Sequence, residues 1–361
     1  MGEAGGVMKT TLDRATTLPR LGPTFFTIPF GLASLAGVWR LMASFYGAPR
    51  AVSDALFIAA ACAWMVLIAF VLARWIRRPG AVGAELSDPV LTPFWSLPSI
   101  VGMLLAIGLS SGEPAIAEAA FFVFFALTVM VVVLMVARWV TRGVDRCQVH
   151  PGYFLPTVAG FQIAAQGAAR FGVSPFAWGS FTVAIAFWAV LTPVVLARLR
   201  TVPLSTALGP TRAIELAPPA LAGATYFDLT RAAADPVAYA FLIAVALLAA
   251  GQLRAVPRYA GLRFGQGFWA FTFPWVSVAA LALRWLRIEH PTGGPAYALL
   301  AAGAVSLLVA AIAVRSVLAI PRGKLLFHSS SAPAVAAVVA SQRSRPTPAV
   351  DDKRLEGAFN V

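Results

Sequence analysis

Side chains able to do chemistry are few in the apolar stretches of this chain, and they lie at the ends. The acids within those stretches are Asp54, Glu118, Glu215 and Asp228, each near a terminus of its stretch. The histidines, His150, His290 and His328, fall in connecting segments or in the C-terminal tail. No His-Glu-x-x-His, no Gly-x-Ser-x-Gly and no phosphate-cradling loop occurs. Acid–base, nucleophilic and metal-assisted chemistry are therefore disfavoured, and no catalytic residue, metal site or cofactor is expected. Proton and sodium relays in membranes normally leave carboxylates deep in the spans. A path lined by apolar groups, hydroxyls and bent backbone, with no deep acids, instead suits anions. The hydroxyls available for such a path are Thr27, Ser34, Ser99, Thr157, Thr225 and Thr272.

The elements that must position these groups follow from composition. The chain of 361 residues is 59% hydrophobic and 12% charged, with mean hydropathy +0.79, whereas soluble domains average about 25% charged. A membrane-crossing helix needs roughly 20 mostly apolar residues. Ten such stretches can be read: 24–46, 54–75, 91–110, 115–137, 153–171, 175–197, 213–231, 236–253, 266–286 and 295–318. The seventh is the weakest, being short and containing Glu215, Pro218, Pro219 and Asp228.

Proline divides the ten into two sets. Pro29, Pro93 and Pro98, Pro156, Pro218 and Pro219, and Pro274 fall in the odd stretches. The even ones have only Pro193 in their interior, while Pro175, Pro236 and Pro295 open theirs. Proline removes a backbone donor and bends a helix, and in lipid the freed carbonyl must be satisfied by protein or cavity water. The alternation predicts an all-α integral membrane protein of five helical hairpins, with one bent helix of each facing an interior and one straight helix facing lipid.

Most of the 28 Lys and Arg residues fall on one side if the N-terminus is inside. An even number of spans with both ends cytoplasmic fits that bias, and it accounts for the +13 net charge without nucleic acid. No cleavable signal is expected, because the first apolar run is too long. Residues 1–23 read as a cytoplasmic tail, 24–320 as the membrane domain, and 321–361 as a disordered cytoplasmic tail. Cys62 and Cys147 have no obvious pairing. Arg40 is the one basic residue well inside a span. It can snorkel or pair, or it can contact an anion. Gly31, Gly102, Gly160 and Gly223 can serve close helix packing and an open lumen at once.

Three stretches go further: Phe26-Thr27-Ile28-Pro29-Phe30-Gly31-Leu32-Ala33-Ser34-Leu35-Ala36, His150-Pro151-Gly152-Tyr153-Phe154-Leu155-Pro156, and Phe268-Trp269-Ala270-Phe271-Thr272-Phe273-Pro274. With Pro193-Val194-Val195-Leu196 and Leu216-Ala217-Pro218, their order over about residues 24–320 resembles the tellurite-resistance/dicarboxylate transporter family. That family includes bacterial tellurite-resistance protein A and the plant slow-type anion channels. The resemblance implies ten transmembrane helices as five hairpins around a central pseudo-fivefold pore, in a homotrimer with one pore per protomer. It also implies a phenylalanine gate, which the matching pattern puts on Phe273. Candidate pore-lining residues are Pro29, Ser34, Pro98, Pro156, Pro218, Phe271, Thr272 and Pro274, with Arg40 as a possible anion contact. Where a family relative has an acid before the Pro-Val stretch, this chain has Thr192.

The expected function is an anion channel or channel-like transporter of the bacterial-type inner membrane, passing small inorganic or organic anions. The alternatives are a proton-coupled C4-dicarboxylate carrier, a tellurite or oxyanion exporter, and a non-conducting membrane scaffold or sensor.

Overall fold

A computed structural model of the chain describes residues 21–143, 148–201, 204, 208–230 and 234–320. The tails expected at 1–23 and 321–361 lie outside these residues, except for 21–23, and so does Cys147. Helices dominate: α1 (Thr27–Tyr46), α2 (Arg50–Arg77), α3 (Pro79–Leu86), α4 (Leu97–Leu109), α5 (Pro114–Arg142), α6 (Gly160–Arg170), α7 (Ser174–Thr201), α8 (Ala217–Thr230), α9 (Pro236–Arg254), α10 (Val256–Ala260), α11 (Thr272–Glu289) and α12 (Gly294–Ala319). Among the described residues, eight helical segments are long and apolar enough to cross a membrane. The fifth and seventh apolar stretches hold the shorter helices α6 and α8.

Two classes of helix emerge. The helices α2, α5, α7, α9 and α12 run 19 to 29 residues. At 1.5 Å per residue that is about 28–44 Å, near or beyond the roughly 30 Å hydrocarbon core. The helices α1, α4, α6, α8 and α11 run 11 to 20 residues and each follows a non-α lead-in. These lead-ins are 3₁₀ turns at Pro23–Phe26, Thr92–Ser96, Pro151–Tyr153, Gly209–Leu216 and Gln266–Phe271, with a π turn at Leu155–Ala159 added before α6.

The prolines sit at these junctions. Pro29 and Pro274 are third in α1 and α11, Pro98 and Pro218 are second in α4 and α8, and Pro156 is second in the π turn. The first turn of a helix has no intrahelical use for its N–H groups, so proline is tolerated there. The bend therefore lies near one end of each helix rather than at its middle. Pro193 alone sits deep within a described helix, α7.

Packing separates the classes. Helix α1 touches α4, α4 touches α6, α6 touches α8, α8 touches α11, and α11 touches α1 again, which closes a ring. Each ring helix also packs on the long helix that follows it: α1 on α2, α4 on α5, α6 on α7, α8 on α9, α11 on α12. The lead-ins touch one another in the same cyclic order, so all five ring helices begin at the same end and run parallel. Gln266 closes this ring of lead-ins by donating from Nε2 to Thr27 Oγ1 at 2.9 Å.

Burial follows the same division. In α1, α4 and α11 with their lead-ins, 56–61% of the most apolar stretch is buried, against 11–28% in the five long helices. Of the large apolar side chains left exposed, all but Leu109, Val256 and Ile320 lie on those five helices. A belt of that kind is incompatible with water on all sides and is the surface expected against lipid.

Glycine permits the ring helices to approach their neighbours. A Cβ on Gly31 would lie 2.9 Å from Thr272 Cβ across the α1–α11 seam, and on Gly102 2.5 Å from the Phe124 ring. Gly160 and Gly223 face Thr128 and Leu281 in the same way. All four therefore serve helix packing.

Candidate pore and its occlusion

The centre of the ring is apolar at the level of the lead-in junctions. One buried cluster draws Phe30 from α1, Leu97 and Ile100 from α4, Leu155, Ala159 and Ile163 from the α6 region, Ala217 and Leu221 from α8, and Phe273 from α11. Every ring helix contributes to it. Phe273 is the second residue of α11, directly before Pro274, and is 5% exposed. Its ring stacks on Phe30, with centroids 4.0 Å apart and planes at 30°. On another side it borders an apolar cleft too narrow for a water molecule, walled by Phe154, Leu155, Val158, Ala159, Ile214, Ala217, Pro218 and Leu221. A dry apolar constriction of this kind stops ions by sterics and dewetting.

The other residues singled out by sequence are spread around this apolar cluster. Pro218 lines the cleft itself. Pro29, Pro156 and Pro274 are buried at the lead-in junctions. The carbonyl of Pro98 accepts from Trp64 Nε1 of α2 at 2.8 Å. Phe271 packs away from Phe273, against Tyr259 and Phe268 with centroids 4.8 and 5.7 Å distant. Thr272 sits against Gly31.

Of the six candidate hydroxyls, Thr225 accepts from Gln166 Nε2 at 3.0 Å, and the other five bond carbonyls of their own turns. Thr27, Ser34, Thr157 and Thr272 donate to Thr24, Phe30, Tyr153 and Trp269 carbonyls at 2.7–2.8 Å. Ser99 bonds the Ser96 carbonyl at 2.9 Å and Thr128 at 2.8 Å. Each satisfies a carbonyl within a turn, the usual way that Ser and Thr settle in a helix.

Charges gather at the far ends of the ring helices. Arg40 pairs with Asp54 at 2.8 Å, donates to Ser53 at 3.1 Å and lies over the Phe57 ring at 5.4 Å. An anion at Arg40 would have to compete with that carboxylate. Arg284 grips Asp228 through two bonds of 2.9 and 2.7 Å, tying α11 to α8. Among the described residues no group of His, Cys, Asp and Glu could hold a metal ion.

Two residues of this region are not among the pore candidates that the sequence names. Phe30 is one of 25 phenylalanines, and only its stack on Phe273 sets it apart. Gln162 lies in an Ala- and Gly-rich run, wholly buried.

The family profile described as "voltage-dependent anion channel" matches residues 20–320. The chain belongs to this family. It is also 29% identical over 261 residues to a "tellurite resistance protein TehA homolog" of Haemophilus influenzae, covering 71% of this chain and 78% of that one. The resemblance seen in the sequence is thus established for the whole helical region. The chain is a multi-pass membrane protein of an anion channel or transporter family.

Proposed function

We propose that this protein is an anion channel, or a channel-like transporter, whose ten helical stretches cross the inner membrane as five hairpins with both termini cytoplasmic. Anions pass along the axis of the ring formed by α1, α4, α6, α8 and α11, and Phe273 occludes that path in the conformation described. The observation that carries this reading is the single apolar cluster fed by all five ring helices, with Phe273 stacked on Phe30 at its heart.

Electrostatics support an anionic cargo. Five parallel helices begin at one end, and a helix N-terminus carries roughly half a positive charge. Asp228, toward the far end of α8, is neutralised by Arg284, so negative charge does not oppose the flow there. As the family resemblance implies, the protein works as a homotrimer with one pore per protomer, which native mass measurement in detergent would test.

Removing the plug tests the function. Phe273→Ala should raise anion conductance in planar bilayers or oocytes well above the wild-type level. Unchanged conductance in folded, inserted protein would reject Phe273 as the gate. The name of the Haemophilus influenzae relative, a tellurite resistance protein homolog, favours a second reading, export of an oxyanion such as tellurite. Tellurite tolerance conferred on a sensitive host, with no chloride or nitrate current from either wild type or Phe273→Ala, would select it.

A further inference from the structure

Gln162 on α6 is wholly buried, and neither its Nε2 nor its Oε1 has a hydrogen-bond partner. It is the one described residue with two such atoms. Buried amides are almost always paired, and one that is not demands a physical reason.

Its position supplies one. Gln166 lies one turn further along the same face of α6 and donates from Nε2 to Thr225 Oγ1 of α8 at 3.0 Å, which sets that face at the α6–α8 seam. In the turn before Gln162, Val158 and Ala159 wall the cleft beside Phe273 together with Ala217, Pro218 and Leu221 of α8. A helical turn rises about 5.4 Å, so Gln162 lies roughly one turn beyond the cleft beside Phe273, on one of the two segments that wall it. The neighbouring buried side chains of α6, Ile163, Ala164 and Ala165, are apolar. The hydroxyl protons of Thr157 and Thr272 are committed to carbonyls. An anion needs donors, and Nε2 offers two that are uncommitted.

We infer that the Gln162 carboxamide is the anion-coordinating group just beyond the Phe273 plug, donating N–H bonds to a partly dehydrated monovalent anion such as chloride or nitrate. This rests on the pore reading above. A neutral amide holds an anion less tightly than a guanidinium would, and conduction requires a site weak enough to release its ion.

The experiment compares chloride and nitrate currents in bilayers for Phe273→Ala alone and combined with Gln162→Leu or Gln162→Glu, alongside thermal melts of each. Gln162→Leu should lower conductance severalfold and change the nitrate-to-chloride permeability ratio. Its melting temperature should hold or rise, because an apolar residue of similar size removes the unpaired groups. Gln162→Glu should lower anion conductance by at least about tenfold, a penalty of 1.4 kcal/mol or more.

Parental conductance and permeability ratio in Gln162→Leu would overturn the inference while leaving the pore intact. If Gln162→Leu does not insert, Gln162→Met is read in the same way, and failure of both to insert would assign the amide to folding and overturn it too. No current from inserted Phe273→Ala alone would remove the pore reading and this inference together.

Discussion

Phe273 and Phe30 stack at the centre of the ring, so the proposed plug has two halves on two helices. A stacked aromatic contact contributes about 0.5–1.5 kcal/mol beyond burial. Phe30→Ala should therefore shift the balance toward conduction by about twofold to tenfold, leaving it below Phe273→Ala, because Phe273 remains but has lost its support. Currents at matched membrane abundance would check the ranking, and a Phe30→Ala variant as conductive as Phe273→Ala would show that Phe30 is itself the barrier. Phe273 could be named from its place beside Pro274 within a family pattern. Phe30 could not, because its partner lies 243 positions away on α11. Gln162 and Gln166 read alike in sequence. Only the packing of α8 gives one of them Thr225 as a partner and leaves the other without.

The ring helices owe their form to their lead-ins. The proline alternation marked the odd stretches as a class, and that class is the ring. Its prolines predicted bends within the spans, whereas they stand at 3₁₀-to-α or π junctions near one end. There the missing N–H breaks no hydrogen bond of a continuing helix. This also explains why α6 and α8 fall short of a full span: Pro151 and Pro156 before α6, and Pro210 before α8, hold part of each stretch outside the α-helix. Close approach then sets the ring's diameter. At the α1–α11 seam, Gly31→Ala would put a methyl against Thr272. Overpacking of this kind costs about 1–3 kcal/mol, more than the roughly 1 kcal/mol that alanine returns in helix propensity. The melting temperature in detergent should fall for Gly31→Ala and recover in part when Thr272→Ala removes the hydroxyl. No fall would show that the seam yields freely.

Across the whole molecule, the junction end of the ring is held by a buried imidazole outside the spans. His150 donates from Nε2 to the Val90 carbonyl and accepts the Gly152 N–H at Nδ1, both at 3.1 Å. It also stacks on Phe94 at 5.5 Å. Acceptance at Nδ1 requires the neutral ring. Its pKa is lowered to about 4, chiefly by burial, with the Val90 bond opposing and the charge of Arg198 contributing. Because the folded pKa lies below the ordinary value of about 6.5, the unfolded chain binds the proton first as the solution is acidified. Stability is complete above pH 6.5, falls between about 6.5 and 4, and levels off below, a loss of at most about 3 kcal/mol. Melts from pH 7.5 to 4.5 should show this slope in the wild type and a flatter one in His150→Gln, and equal slopes would place the titrating group elsewhere. Nothing in the sequence around His150 announces this, since a histidine before a proline reads as an ordinary loop residue.

By itself, the sequence determined the membrane class, the extent of the helical region and the family. Those depend on hydropathy, proline spacing and short local patterns, which act along the chain. The tertiary structure decided which helices meet in a ring, that their N-termini share one end, which phenylalanine stacks on Phe273 and which glutamine is left without a partner. Those depend on side chains brought together from distant segments, where burial and hydrogen bonding are settled by packing and not by neighbours in sequence.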